Sequence, residues 1–133
     1  MLPEHALLFA PTPGGPALYA QLESAILGAL PDVEICPRRT QLGFFHGCGF
    51  AWAWPARAKA DRMAGRIGLT LALPARVDSP RIAHAVEAYP GRWTHHMLIS
   101  SPREIDGELM NWLREAWSFA AFRGKRNPRT SGR

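Results

Sequence analysis

The chain has 133 residues, 47% of them hydrophobic, with five tryptophans; that is enough apolar surface for one core and too little length for two, so general disorder and a multidomain assembly are excluded. The formal charge of +5 does not describe the body, because residues 1–122 hold eleven basic and eleven acidic side chains and the excess sits in Arg123, Lys125, Arg126, Arg129 and Arg133; a basic face over the whole protein is therefore not implied. Cys36 and Cys48 are too few for a disulfide framework, the start of the chain lacks a basic leader, and no run nears the ~18 apolar residues of a membrane span, so the expectation is a soluble cytoplasmic protein with no membrane partner.

After the stretch PTPGGP, residues 16–30 place Leu18, Leu22 and Ile26 at helical spacing, with Pro16 near the start and Pro31 as the stop. From Asp32 the period shortens. Val33 and Ile35 alternate with Glu34 and Cys36, and Phe44, Phe45, Phe50, Trp52 and Trp54 mark extended segments around Gly43, Gly47 and Gly49. FHGCGF is expected to be a hairpin or bulge, since glycine takes the positive φ such turns need. ARAKADRMAGR reads as an exposed connection, and RIGLTLALP as a strand with Ile67, Leu69, Leu71 and Leu73 on one face and Gly68, Thr70 and Ala72 on the other.

Ser79 and Pro80 read as the N-cap and first position of a short helix to about Ala88, closed by Tyr89-Pro90-Gly91. RWTHHMLIS is the last strand. Ser101, Pro102 and Glu104 spell a capping box for a final helix whose apolar face carries Ile105, Leu109, Trp112, Leu113, Ala116, Trp117 and Ala120. The order α-β-β-β-α-β-α, with short turns between strands, predicts a single globular α+β domain over residues 1–122. Its sheet is mostly antiparallel with helices packed on one face, and a basic, disordered tail follows at 123–133.

The stretches RRTQLGFF and FAWAWPAR, and above all YPGRWTHH and EIDGELMNWLREAW, resemble a family of short bacterial cytosolic proteins catalogued as a domain of unknown function. The likeness runs over roughly residues 8–120. It implies a compact α+β domain with no assigned chemistry, and it supplies no catalytic residue to carry over. The chain departs from the family's pattern at Arg39 and Trp117, where a lysine and a tyrosine are usual. An amine or phenol chemistry is not available from those two positions here.

Three clusters and the tryptophans are candidates for function. His95 and His96 are consecutive in a strand, so they face opposite ways and do not share an ion; His95 falls on the apolar face and His96 on the more open one. His46 and Cys48 carry zinc-ligand chemistry but lack the paired spacing of a metal motif. Arg38, Arg39, Thr40 and Gln41, with Arg92 and Arg57 nearby, offer donors for a phosphate, carboxylate or base edge. The five tryptophans read as core first, unless a subset lies exposed on the sheet beside the arginines, where aromatics stack single-stranded bases. No phosphate loop, dinucleotide fingerprint, serine elbow or metalloprotease helix is present, so no catalytic residue, cofactor or metal is assigned.

The leading expectation is a binding or accessory module that recognises an anionic small molecule or a nucleic-acid segment through Arg38, Arg39, Thr40, Gln41, Arg92 and His96. The alternatives are a small enzyme with a pocket on the sheet face using His46, Cys48 or His95, and a protein–protein interaction module or homodimer built on exposed aromatic strand surface.

Overall fold

The computed structural model describes the backbone of residues 2–126 and the side chains of residues 2–122. A single 3-10 segment (Glu4–Phe9) precedes α1 (Gly15–Ala29); then come β1 (Glu34–Pro37), β2 (Leu42–His46), β3 (Cys48–Pro55), the one-turn α2 (Lys59–Met63) and β4 (Ile67–Leu73). After these follow β5 (His84–Tyr89), β6 (Arg92–Ile99), a 3-10 turn (Pro102–Glu104) and α3 (Gly107–Arg126). The six strands form one antiparallel sheet in the order β1-β2-β3-β4-β6-β5. This is the expected α+β class.

The period-2 pattern of β4 sets the two faces. Leu69 pairs with Ala53 and Met97, and Leu71 with Ala51 and His95, all on the side covered by α3 and the N-terminal 3-10 segment. Leu18, Leu22 and Ile26 of α1 and Leu109, Leu113 and Ala116 of α3 close one core with this face, each below 5% exposed. Burying a leucine or isoleucine there contributes about 1.5–3 kcal/mol. Phe9 stacks on Tyr19 with ring centroids 4.8 Å apart, and the Tyr19 hydroxyl donates to Glu23 at 2.7 Å.

Two local expectations are corrected. Residues 79–88 are not a helix. Ser79 Oγ accepts from the Arg81 N–H at 3.2 Å and the Ser79 carbonyl from the Ile82 N–H at 3.0 Å, which makes a turn, and β5 then pairs with β6. Pro90-Gly91 is the two-residue turn of that hairpin, with Gly91 at φ +82°. A serine before proline suits a turn as well as a cap, and pairing with β6 decides the matter.

The capping box of Ser101 and Glu104 is present, but it caps the short 3-10 turn. The chain turns again, and Asp106 Oδ1 accepts from the Leu109 N–H at 3.0 Å, capping α3 itself. That helix continues to Arg126, so its backbone enters the segment expected to be a tail; residues 127–133 lie outside the described residues. Among the described residues no helix is long and apolar enough to cross a membrane.

Candidate site on the open face of the sheet

The face of the sheet opposite the helices carries a groove of about 590 Å³. It follows from the alternation of the strands. Gly43, Trp52, Thr70, His96 and His84 form one transverse row across β2, β3, β4, β6 and β5. Along β4 the open-face residues are Gly68, Thr70 and Ala72, all small, so a trough runs between the tryptophans of β3 and the β6 side chains Arg92, Thr94 and His96.

Glycines let the indoles lie on the sheet. The Trp54 ring covers Gly68, where a Cβ would overlap it, and the Trp52 ring covers Gly49, where a Cβ would come within 2.5 Å of Cζ2. Arg57 stands over the Trp54 ring at 5.8 Å, and Arg92 stands over Trp52 at 5.7 Å and Tyr89 at 5.6 Å. Each guanidinium is thereby held at one part of the groove by an aromatic face.

A hydrogen-bond chain crosses the floor. The Trp54 Nε1–H donates to Thr70 Oγ1 at 2.8 Å, and Thr70 Oγ1 lies 2.9 Å from His96 Nδ1. An indole only donates, so Thr70 Oγ1 accepts from Trp54 and keeps both its own proton and a second lone pair for Nδ1; the contact serves either tautomer of His96. Burial pushes the His96 pKa below its ordinary value, and His84, Arg57 and His95 push it the same way. The His84 ring lies 6.0 Å away, within 18° of parallel. None of the nine residues lining the groove is acidic, and its two arginines make it a cationic site.

A second depression of about 370 Å³ adjoins the first and shares Gln41, Trp54 and Arg57 with it. It adds Arg39, Thr40 and Arg62. The guanidinium of Arg62 donates to the carbonyls of Ala56 (2.9 Å) and Arg57 (2.6 Å), fixing the backbone that presents Arg57.

The expected site residues thus divide. Gln41, Arg92 and His96 line the groove, and Arg39 and Thr40 line its extension. Arg38 lines neither; its guanidinium donates to its neighbour's carbonyl, Pro37, at 3.3 Å and is exposed. Thr70, Thr94 and His84 join the groove without having been expected there, and Trp52 and Trp54 are the tryptophans that lie on the sheet beside the arginines. The glycines at 43, 49 and 68 are the signal that would have found the indoles, since glycine inside a strand marks a close approach.

The remaining candidates lie elsewhere. His95 is fully buried on the core face, and its Nε2 accepts from the Val77 N–H at 2.9 Å. Burial lowers its pKa, against the opposing pull of the Leu71 and Trp93 backbone. His46 stacks on Trp117 at 4.2 Å and 4° between planes, with Nδ1 3.1 Å from the Trp117 carbonyl. Neither His46 nor Cys48 lines the open groove. Trp117 itself donates through Nε1 to the Pro31 carbonyl at 2.9 Å, tying α3 to the end of α1. Among the described residues no group of three or more His, Cys, Asp and Glu side chains is placed to hold a metal ion.

No curated protein matches the chain, and no solved structure does. A family model matches residues 15–120, which span α1, the whole sheet and α3 through its last buried alanine, Ala120. The chain belongs to the family described as Domain of unknown function (DUF5655).

Proposed function

We propose that the protein is a cytosolic binding module that takes an anionic ligand on the open face of its sheet. The observation that carries this reading is the lining of the groove: two arginines, two histidines and two tryptophans with no carboxylate among them. Burying such a set of donors beside aromatic faces suits a phosphate or carboxylate attached to an apolar body. The ligand-contacting residues in this reading are Arg57, Arg92 and His96, with Gln41 and Thr94 as polar edges and Arg39 and Thr40 at the outer end.

The test is a thermal-shift comparison of the wild type with the double variant Arg57→Gln/Arg92→Gln. Inorganic phosphate, pyrophosphate, phosphosugars, nucleotides and short oligonucleotides are screened at low and high salt. A ligand at about 100 times its Kd adds roughly 2.7 kcal/mol, a shift of several degrees for a domain of this size. The reading predicts that at least one anion gives such a shift and that the double variant loses it. A wild type that responds to no anion, or a double variant that responds as the wild type does, contradicts it.

A further inference from the structure

We propose that the anion taken by this face is a segment of single-stranded nucleic acid, with consecutive bases stacked on Trp52 and Trp54; the inference rests on the anion-binding reading and narrows it to one ligand class. Three features point this way.

The first is the presentation of the indoles. Trp52 and Trp54 are residues i and i+2 of β3, on the same face and about 6.7 Å apart along the strand. Trp52 lies against Gly43 and Gly49 and Trp54 against Gly68 of β4, so the indoles lean over different strands and each meets a base splayed from its neighbour, as sheet-bound single strands require. Gly49 and Gly68 let the rings lie down on the sheet, with one face against the backbone and the other turned outward under a guanidinium.

The second feature is the placement of charge. A guanidinium stands over each indole, Arg92 over Trp52 at 5.7 Å and Arg57 over Trp54 at 5.8 Å, so a base that stacks on either ring displaces an arginine toward the adjoining phosphate. Stacked bases with phosphates between them need this interleaving of aromatic and cationic groups. A phosphosugar or small carboxylate needs only one of the two pairs.

The third feature is length. The groove and its extension share Gln41, Trp54 and Arg57, and neither is lined by an acid. Together they carry four arginines, Arg92, Arg57, Arg39 and Arg62, more than a single phosphate uses. Gln41, at the junction, presents an amide that both donates and accepts, and it is placed to meet a base edge.

The experiment is a tryptophan-fluorescence and calorimetric titration of the full chain with dT8, rU8, UMP, ribose 5-phosphate and a blunt DNA duplex. The expected result is quenching by an octamer that binds at least tenfold more tightly than UMP or the duplex. Trp52→Leu and Trp54→Leu should each weaken it by roughly 5- to 150-fold, the range of one lost base stack, while Trp52→Phe keeps most of the affinity. Arg57→Gln should reduce the salt slope of log K by about 0.7, one phosphate contact on a single strand. Both tryptophans are only half-buried and lie outside the core cluster, so the variants are expected to fold, and Trp52→Phe and the salt slope decide the question if a leucine variant does not. UMP binding as tightly as the octamers, or ribose 5-phosphate binding as tightly as UMP, overturns the stacked-strand inference and leaves the anion site standing. Binding of none of the probes overturns the stacked-strand inference, and the anion reading falls with it if phosphate and pyrophosphate also fail to shift the melt.

Discussion

Gly68→Ala tests the construction of the open face without replacing any residue proposed to contact a ligand. A Cβ at position 68 would overlap three atoms of the Trp54 ring, far inside the 3.5–4.0 Å at which carbon atoms rest. Gly68 is in the middle of the sheet, paired to Trp54 on one side and Leu98 on the other, so the backbone has little room to give and the indole must lift. Lifting it breaks the 2.8 Å bond to Thr70, a loss of about 1 kcal/mol, and forces a side-chain torsion costing roughly 0.5–1.5 kcal/mol. Replacing a strand glycine by alanine returns about 0.5–1 kcal/mol. The net is a destabilisation of about 1 kcal/mol, or a fall in Tm of about 3–5 °C at this chain length. Thermal melting by circular dichroism reads the first effect, and the indole N–H resonance of Trp54 reads the second. A variant that melts at or above the wild-type temperature with that resonance unmoved would refute the reasoning.

Lowering the pH below about 6.5 should destabilise the fold. His95 and His96 both have pKa values held below the ordinary 6.5, chiefly by burial, so the unfolded chain takes up protons before the folded one does and stability falls as pH drops through that window; urea melts between pH 7.5 and 5.5 check it, and a flat profile contradicts it. Arg57→Gln removes one of the positive charges facing His96, so its imidazole should titrate at higher pH in an NMR titration of the variant. Arg81→Ala should lower Tm. It removes a 2.6 Å bond to the Glu104 carbonyl, worth about 1 kcal/mol, a contact over Trp112, and ion pairs to Asp106 and Glu108. The last share should shrink in high salt, and Arg81→Lys should restore little of the loss because lysine lacks the planar fork.

The sequence made the scaffold readable where a period repeats without interruption. The alternation from Ile67 to Leu73, the prolines bracketing α1 and the apolar stripe of α3 all correspond to elements of the structure. The opposition of His95 and His96 follows from the same two-residue period, and one is indeed in the core and the other on the open face. Segment 79–88 was ambiguous because Ser-Pro serves a cap or a turn, and only the neighbouring strand, β6, decides between them. The tryptophans of β3 were harder. Which face they occupy depends on the bulge at Phe44/Phe45 and on which side the helices cover, and neither is local information. Arg38 shows the converse: its residue type suits an anion site, but in the β1–β2 turn it is exposed and its guanidinium donates to the Pro37 carbonyl.

The most direct measurement of the central claim uses the five tryptophans as built-in reporters. Trp52 and Trp54 lie on the open face, whereas Trp112 and Trp117 belong to α3 on the opposite side. In an ¹H–¹⁵N spectrum recorded while dT8 is added, the account predicts that the indole N–H signals of Trp52 and Trp54 move and saturate together, with those of Trp112 and Trp117 unchanged. Movement confined to Trp112 and Trp117, or five stationary signals at saturating concentrations of every anion tried, would contradict it.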